Sequence, residues 1–184
     1  MTKTILLAGV LGGLAMFVWS GIAHMASPLA EVGISQIEAA NEKPFLTAMD
    51  IVMKGRPGLY FFPGMPKGES QTDHARKLET SPSGLLLYAP AGAKMLETRQ
   101  MIVEILVEIL EALLLAFLLS KTTLSGFGPQ FGFVVAAAVF GTIWTNLSYM
   151  NWYGFPLSYT LAYWFMQFIG MLVGGLVVIR VLKK

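Results

Sequence analysis

Four long apolar stretches alternate with polar or turn-forming segments along this chain. A helix that crosses a bilayer needs about 20 mostly apolar residues, and stretches of that length lie within 1–26, 101–120, 131–150 and 157–182. The pattern therefore predicts four transmembrane helices, with a loop over 121–130 and a turn over 151–156. The first apolar run, of about 19 residues, exceeds the 7–15 of a signal-peptide core, so we expect it to be a retained helix.

Residues 27–100 have the pattern of a small domain exposed to water. Helical spacing alternates here with short apolar runs bounded by Gly and Pro, which are typical of short strands. The helix candidates are 43–55 and 69–79, the strand candidates are 58–64 and 83–92, and a third strand is expected in 29–35. The expected fold is an all-α membrane bundle of four transmembrane helices, with a small α+β domain inserted between the first two.

Composition supports a membrane location and excludes several other classes. Only 13% of the 184 residues are charged and 55% are hydrophobic, whereas soluble domains carry about 25% charged residues. The net charge of +2 is too small to indicate nucleic-acid binding. The absence of cysteine excludes disulfides and thiolate metal sites.

The charges in the short loops predict the orientation. With four spans, Lys3, Lys121 and the terminal Arg180, Lys183 and Lys184 all lie on one side. Because basic residues of short loops favour the cytoplasm, we expect both termini to be cytoplasmic. Residues 27–100 would then be extracytoplasmic, at a bacterial-type inner or plasma membrane.

Three of the predicted helices carry small residues four positions apart, a spacing that lets helix backbones approach closely in lipid. The pairs are Gly9 and Gly13, Ala137 and Gly141, and Gly170 and Gly174. In the predicted orientation, the first and last of these pairs lie in the cytoplasmic leaflet. The first and fourth transmembrane helices are therefore expected to cross tightly there, with each other or with helices of a partner.

The second predicted transmembrane helix carries three carboxylates, Glu104, Glu108 and Glu111. At about 100° per residue they share an arc of roughly 60°, and Glu111 would lie closest to the midplane. An ionised carboxylate there costs about 2.5–3.5 kcal/mol, so it needs a partner. The first alternative is pairing with Gln167 or Tyr163, or with a basic residue of a partner subunit.

Two further alternatives assign these carboxylates a chemical role. They could line a proton or cation path, since ionisable residues inside membranes often mark such paths. His24 is expected at a similar depth in the membrane to Glu104. His24, Glu104 and Glu108 are therefore also candidate ligands of a hard divalent metal ion.

No catalytic motif is present and no cofactor is implied by any motif in the sequence. The sequence therefore favours a non-enzymatic accessory or assembly subunit of a larger membrane complex, or a homo-oligomer, in contact with lipid and with partner subunits or other copies of itself. The alternative is a small transporter or a proton- or cation-conducting protein that uses Glu104, Glu108 and Glu111. A metal-dependent membrane enzyme is a third possibility.

Overall fold

The computed structural model describes residues 2–92, 94 and 97–182, and the positively charged Lys183 and Lys184 lie outside them. The chain is mostly helical and divides into two compact units. The helical unit comprises residues 1–34 and 96–184, and the small unit comprises residues 35–95.

The helical unit contains four long helices: α1 (Lys3–Met25), α4 (Thr98–Ser120), α5 (Phe127–Tyr153) and α6 (Leu157–Leu182). Their ends follow from local chemistry. The Thr2 side chain accepts a hydrogen bond from the Ile5 amide at the start of α1, and Glu97 and Gln100 form a reciprocal capping box at the start of α4. Gly154, with φ of +71°, ends α5 in the left-handed conformation that glycine adopts without strain.

Among the described residues, three helices are long and apolar enough to cross a membrane: α1, α5 and α6. These helices indicate a membrane protein, as the sequence predicts. Helix α4 has 23 residues, the same number as α1, but its three glutamates keep it outside this group. The prediction is therefore confirmed for a helical membrane protein but not for a bundle of four transmembrane helices.

Helix α1 lies at the centre of the helical unit. It packs against both α4 and α6, whereas α5 packs mainly on α6 and touches α4 only slightly. The buried core lies at the end where α1 begins and α4 finishes, and its members include Ile5, Ala8, Ala116, Leu119, Val134 and Val178. Because α4 and α5 barely meet, they leave an opening between them.

The small unit contains α2 (Ala39–Met53), β1 (Gly58–Phe62), α3 (Gln71–Thr80) and β2 (Gly84–Tyr88). The two strands pair antiparallel, with Gly58 opposite Tyr88 and Phe62 opposite Gly84. The predicted pair of strands is therefore confirmed.

The third predicted strand, in 29–35, is wrong. Residues Pro28–Glu31 form a 3-10 helix whose N-cap, Ser27, accepts a hydrogen bond from the Leu29 amide. Gly33 then takes a positive φ of +77°, and a Cβ there would lie 2.5 Å from the amide nitrogen of Tyr159. The proline, the serine cap and this close approach to α6 together favour a tight turn over an extended strand.

Candidate functional site

The three glutamates of α4 have different surroundings, although they share one face of the helix. Glu108 is only 7% exposed, whereas Glu104 and Glu111 are both exposed. Because Glu104 and Glu111 lie four and three residues from Glu108, they are its neighbours on the helix surface, where like charges repel. The sequence predicts that Glu111 is the carboxylate most in need of a partner. In the structure, Glu108 is the buried one of the three and has the greater need.

The packing of α1 on α4 explains why Glu108 is buried. A Cβ on Gly13 of α1 would lie 2.6 Å from the backbone nitrogen of Ile109 and 2.8 Å from the carbonyl carbon of Glu108. The two backbones are therefore nearly in contact at this point, which removes solvent from the Glu108 side chain. Only glycine permits so close a crossing.

The Glu108 carboxylate has an oxygen atom that is not satisfied by a hydrogen bond. The Ser20 side chain, about two turns along α1 from Gly13, lines the same cavity as Glu108. The Oε2 atom of Glu108 is buried and has no hydrogen-bond partner among the described residues. A buried acceptor without a partner costs free energy, and a charged one costs more than a neutral one. Glu108 is therefore the position in this unit most in need of a donor or a positive charge.

The carboxylates line a cavity of about 580 Å³ between α4 and α5, with α1 and α6 contributing the remaining walls. We call it the α4–α5 cavity. Most of its polar lining lies at the end at which α1 and α5 finish and α4 and α6 begin, and Glu111 and Thr142 lie closer to the middle. The residues at that end are Ser20, His24, Glu104, Glu108, Thr145, Tyr163 and Gln167. The apolar lining of the cavity is deeper, towards the buried core, and includes Leu114, Leu115, Leu118, Phe140 and Met171. The cavity is thus amphipathic along its length.

The lining is also strongly biased in charge. Of the described lining residues, three are glutamates, His24 is the only one with a basic side chain, and none is Lys or Arg. The Nδ1 atom of His24 lies 3.0 Å from the backbone carbonyl oxygen of Ser20, and its ring meets the ring of Tyr163 edge-on, with centroids 6.3 Å apart. The cavity therefore favours a positively charged occupant.

The partners predicted for Glu111 are engaged elsewhere or lie along the cavity wall. Gln167 accepts a hydrogen bond from the Asn146 side chain, which also donates to the Thr142 carbonyl oxygen at 2.7 Å. Within the described part of the chain, no hydrogen bond joins Glu111 to Gln167 or to Tyr163. Gln167 thus links α6 to α5, because its side-chain oxygen is already bonded to the Asn146 amide across the helix interface.

The predicted metal ligands do not assemble into a chelating set. Among the residues described, no group of three or more His, Asp or Glu side chains is placed to hold a metal ion. His24 and the glutamates share the cavity, but His24 is exposed and is directed at the backbone of its own helix.

The predicted small residues of α6, Gly170 and Gly174, lie against α1, whereas those of α1 lie against α4. Gly9 and Gly13 face α4, where a Cβ on Gly9 would lie 2.8 Å from the Cα of Leu113. The close approach of α1 to α6 depends instead on Gly12, since a Cβ there would lie 3.1 Å from the carbonyl oxygen of Gly174. Gly170 accommodates the Trp19 ring, with 3.3 Å between its would-be Cβ and the ring. Spacing alone predicts close packing but does not identify the neighbour, because glycines cover adjacent faces of α1.

The predicted packing pair on α5 lines the cavity. A Cβ on Gly141 would have no atom within 4 Å, and both Ala137 and Gly141 belong to the cavity wall. Ala137 also packs partly on the buried core. Their small size leaves space between α4 and α5 because neither side chain extends far enough to fill it.

Several lining residues are not identified as functional from the sequence. Phe140 carries no signal, because an aromatic residue on a transmembrane helix usually faces lipid or core. Ser20 and Thr145 are recognisable as polar groups in an apolar helix, and Thr145 continues the small-residue spacing of α5. Trp19 donates from Nε1 to the Met166 carbonyl oxygen at 2.9 Å, which fixes one wall of the cavity.

Comparison with known proteins gives no family assignment. No protein-family model matches the chain, and neither a curated protein nor a solved structure matches it. The functional proposals below therefore rest on the geometry of this molecule.

Proposed function

We propose that the chain crosses a bacterial-type plasma membrane four times, through α1, α4, α5 and α6. At about 1.5 Å per residue, the 23 residues of α4 extend roughly 35 Å, enough for a hydrocarbon core of about 30 Å. Its faces away from the glutamates are apolar and exposed, as Ile102, Leu106 and Leu110 show. Both termini are then cytoplasmic and residues 27–100 are extracytoplasmic.

Because the chain has no cysteine, single cysteines can test this topology. Ser83→Cys and Thr123→Cys introduce thiols at exposed positions on opposite sides of the proposed membrane. A membrane-impermeant maleimide should label the first in intact spheroplasts and the second only after permeabilisation. The reverse pattern, or labelling of both in intact spheroplasts, would contradict four spans with cytoplasmic termini.

We further propose that the protein is a small transporter or conductor of cations that uses Glu104, Glu108 and Glu111. The observation that carries this proposal is their convergence on one cavity, in which Glu108 is buried with an unpartnered oxygen. A buried negative charge is stabilised by a positive partner, and the described lining contains no Lys or Arg. A cation that enters the cavity supplies that partner. The sequence by itself favours an accessory subunit, but the convergence of the three carboxylates on one cavity supports transport.

Flux through proteoliposomes tests this proposal. Purified protein is reconstituted, and the movement of protons and of inorganic and organic monovalent cations is followed against empty liposomes. The variant with Glu104, Glu108 and Glu111 all replaced by Gln should fold and reconstitute but lose flux. Glu31→Gln, at an exposed acid outside the cavity, is the matched control and should retain it. Equal flux in the triple variant and the wild type would refute a role for these carboxylates.

A role as an accessory or assembly subunit, or as a homo-oligomer, is supported by a different observation, in the small unit. Leu59, Phe61 and Leu87 lie on the same face of the two-stranded sheet, and all three are exposed. An apolar sheet face in a water-exposed unit favours a covering partner. Native mass spectrometry in mild detergent tests this role: a stable oligomer or a co-purifying subunit is expected, whereas a monodisperse monomer without a partner would contradict it.

A further inference from the structure

We propose that the α4–α5 cavity binds a hydrophobic organic cation, a molecule with one positive group on an apolar or aromatic body, with Glu108 as its counter-charge. This inference rests on the proposed cation transport and names the class of substrate. Four features of the cavity support it: its charge, the nature of its remaining walls, its size and its opening between α4 and α5.

The charge of the occupant follows from Glu108. Its side chain is more than nine-tenths buried, it lines the cavity, and its Oε2 atom has no partner within the described structure. Glu104 and Glu111 add two more negative charges to the same walls. A neutral occupant would leave these charges uncompensated, and an anion would be repelled, so the walls select a cation.

The body of the occupant follows from the rest of the lining. A small inorganic cation needs a shell of several oxygen ligands, and no cluster of three or more acidic or histidine side chains suited to a metal is found in the described residues. Most of the cavity is instead walled by aliphatic side chains and by the rings of Trp19, Phe140 and Tyr163. Aromatic faces attract organic cations and quaternary ammonium groups in particular.

The size of the cavity agrees with such a ligand. Pockets for small organic molecules measure about 300–1,000 Å³ and are mostly apolar, with a few polar groups that fix orientation. The α4–α5 cavity, at about 580 Å³, falls within this range. With the glutamates towards one end and Leu114, Leu118 and Met171 towards the other, the positive group is directed to the end at which α4 begins.

The opening between α4 and α5 provides the route of entry. Phe140 lines the cavity and is nevertheless 85% exposed, and Glu111 is exposed as well. The two helices scarcely pack against each other. In the proposed four-span arrangement this side faces lipid, where a hydrophobic cation concentrates. The ligand then enters sideways from the bilayer and exchanges lipid surroundings for an apolar cavity that contains its counter-charge.

Two ions of the same shape and opposite charge test the inference. Tetraphenylphosphonium and tetraphenylborate differ chiefly in the sign of their charge. The full-length protein is placed in phosphatidylcholine nanodiscs, and saturable binding is measured by equilibrium dialysis against empty nanodiscs. We expect tetraphenylphosphonium to bind saturably, with one ion per chain, and tetraphenylborate to show no saturable component.

Variants of the protein locate the bound ion. Glu108→Gln should weaken tetraphenylphosphonium binding by at least about tenfold, since it removes one member of a buried charge pair. Glu108→Asp retains the charge and should restore most of the affinity, and Glu31→Gln should leave it unchanged. Thermal unfolding and size-exclusion profiles confirm that each variant is folded, and the comparison of the two ions on the wild-type protein needs no variant at all.

The outcomes separate this inference from the transport proposal. Equal saturable binding of both ions, or no binding of tetraphenylphosphonium, would overturn the inference. If inorganic cations or protons cross proteoliposomes while tetraphenylphosphonium does not bind, the substrate class is wrong and transport stands. If tetraphenylphosphonium binds at Glu108 without any flux, the site is confirmed and transport is wrong.

Discussion

The close crossing of α1 and α4 at Gly13 predicts a large effect from one methyl group. In Gly13→Ala, the new Cβ would lie 2.6 Å from the Ile109 amide nitrogen and 2.8 Å from the Glu108 carbonyl carbon. Ordinary contacts between such atoms are about 3.5–4.0 Å, so the two backbones must separate by close to 1 Å. Overpacking of this kind costs about 1–3 kcal/mol, and backbone atoms cannot rotate away as a flexible side chain does.

Gly21→Ala in the same helix is the matched control, because a Cβ there has no atom within 4 Å. Both variants gain the same helix propensity, so their difference isolates the clash. Unfolding is followed by circular dichroism as sodium dodecyl sulfate is added to mild-detergent micelles. Gly13→Ala should be about 1–3 kcal/mol less stable than Gly21→Ala. A difference within about 0.5 kcal/mol, the ordinary scatter of harmless substitutions, would refute the close crossing.

Three further predictions concern single side chains. Trp19→Phe removes a hydrogen bond to an α6 carbonyl and should lower the free energy of unfolding by about 0.5–1.5 kcal/mol, whereas the exposed Trp144→Phe should leave it unchanged in the same detergent assay. The hydrogen bond from Asn146 to Gln167 links α5 to α6, and a double-mutant cycle with Asn146→Ala and Gln167→Ala should give a coupling free energy of about 0.6 kcal/mol; additive single effects would contradict the link. Burial raises the pKa of Tyr88 above its ordinary 10.0, so the unfolded chain loses this proton first. The small unit should therefore keep its stability below pH 10 and lose part of it as the pH rises further, a loss that Tyr88→Phe should abolish in chemical unfolding of the full chain.

Hydropathy and turn chemistry predict much of the secondary structure of this chain. The long apolar stretches correspond to α1, α5 and α6, and the apolar runs bounded by Gly and Pro correspond to β1 and β2, because each signal is local. The strand predicted in 29–35 is wrong because the backbone there is determined by the contact of Gly33 with α6, a long-range constraint.

The sequence predicts which face of α4 carries the candidate site, but not which of its glutamates is buried. The angular spacing on α4 places Glu104, Glu108 and Glu111 on one face, and all three do line one cavity. Which of them is buried depends on where Gly13 of α1 meets α4. The small residues of α1 predict a close approach, but they do not show which residue of α4 it meets. The cavity itself arises because α5 packs on α6 rather than on α4. The spacing of small residues does not determine which helix α5 packs against.

Protection of the glutamates from chemical modification measures most directly whether a cation occupies the α4–α5 cavity. Dicyclohexylcarbodiimide, a hydrophobic reagent for carboxyl groups, is applied to the reconstituted protein, and modified peptides are quantified by mass spectrometry. We predict that tetraphenylphosphonium lowers the modification of Glu104, Glu108 and Glu111 but not that of Glu97, which lies outside the cavity lining. Binding of the cation with no protection of the three cavity glutamates, or equal protection of Glu97, would show that the cation sits elsewhere and would contradict the site proposed here.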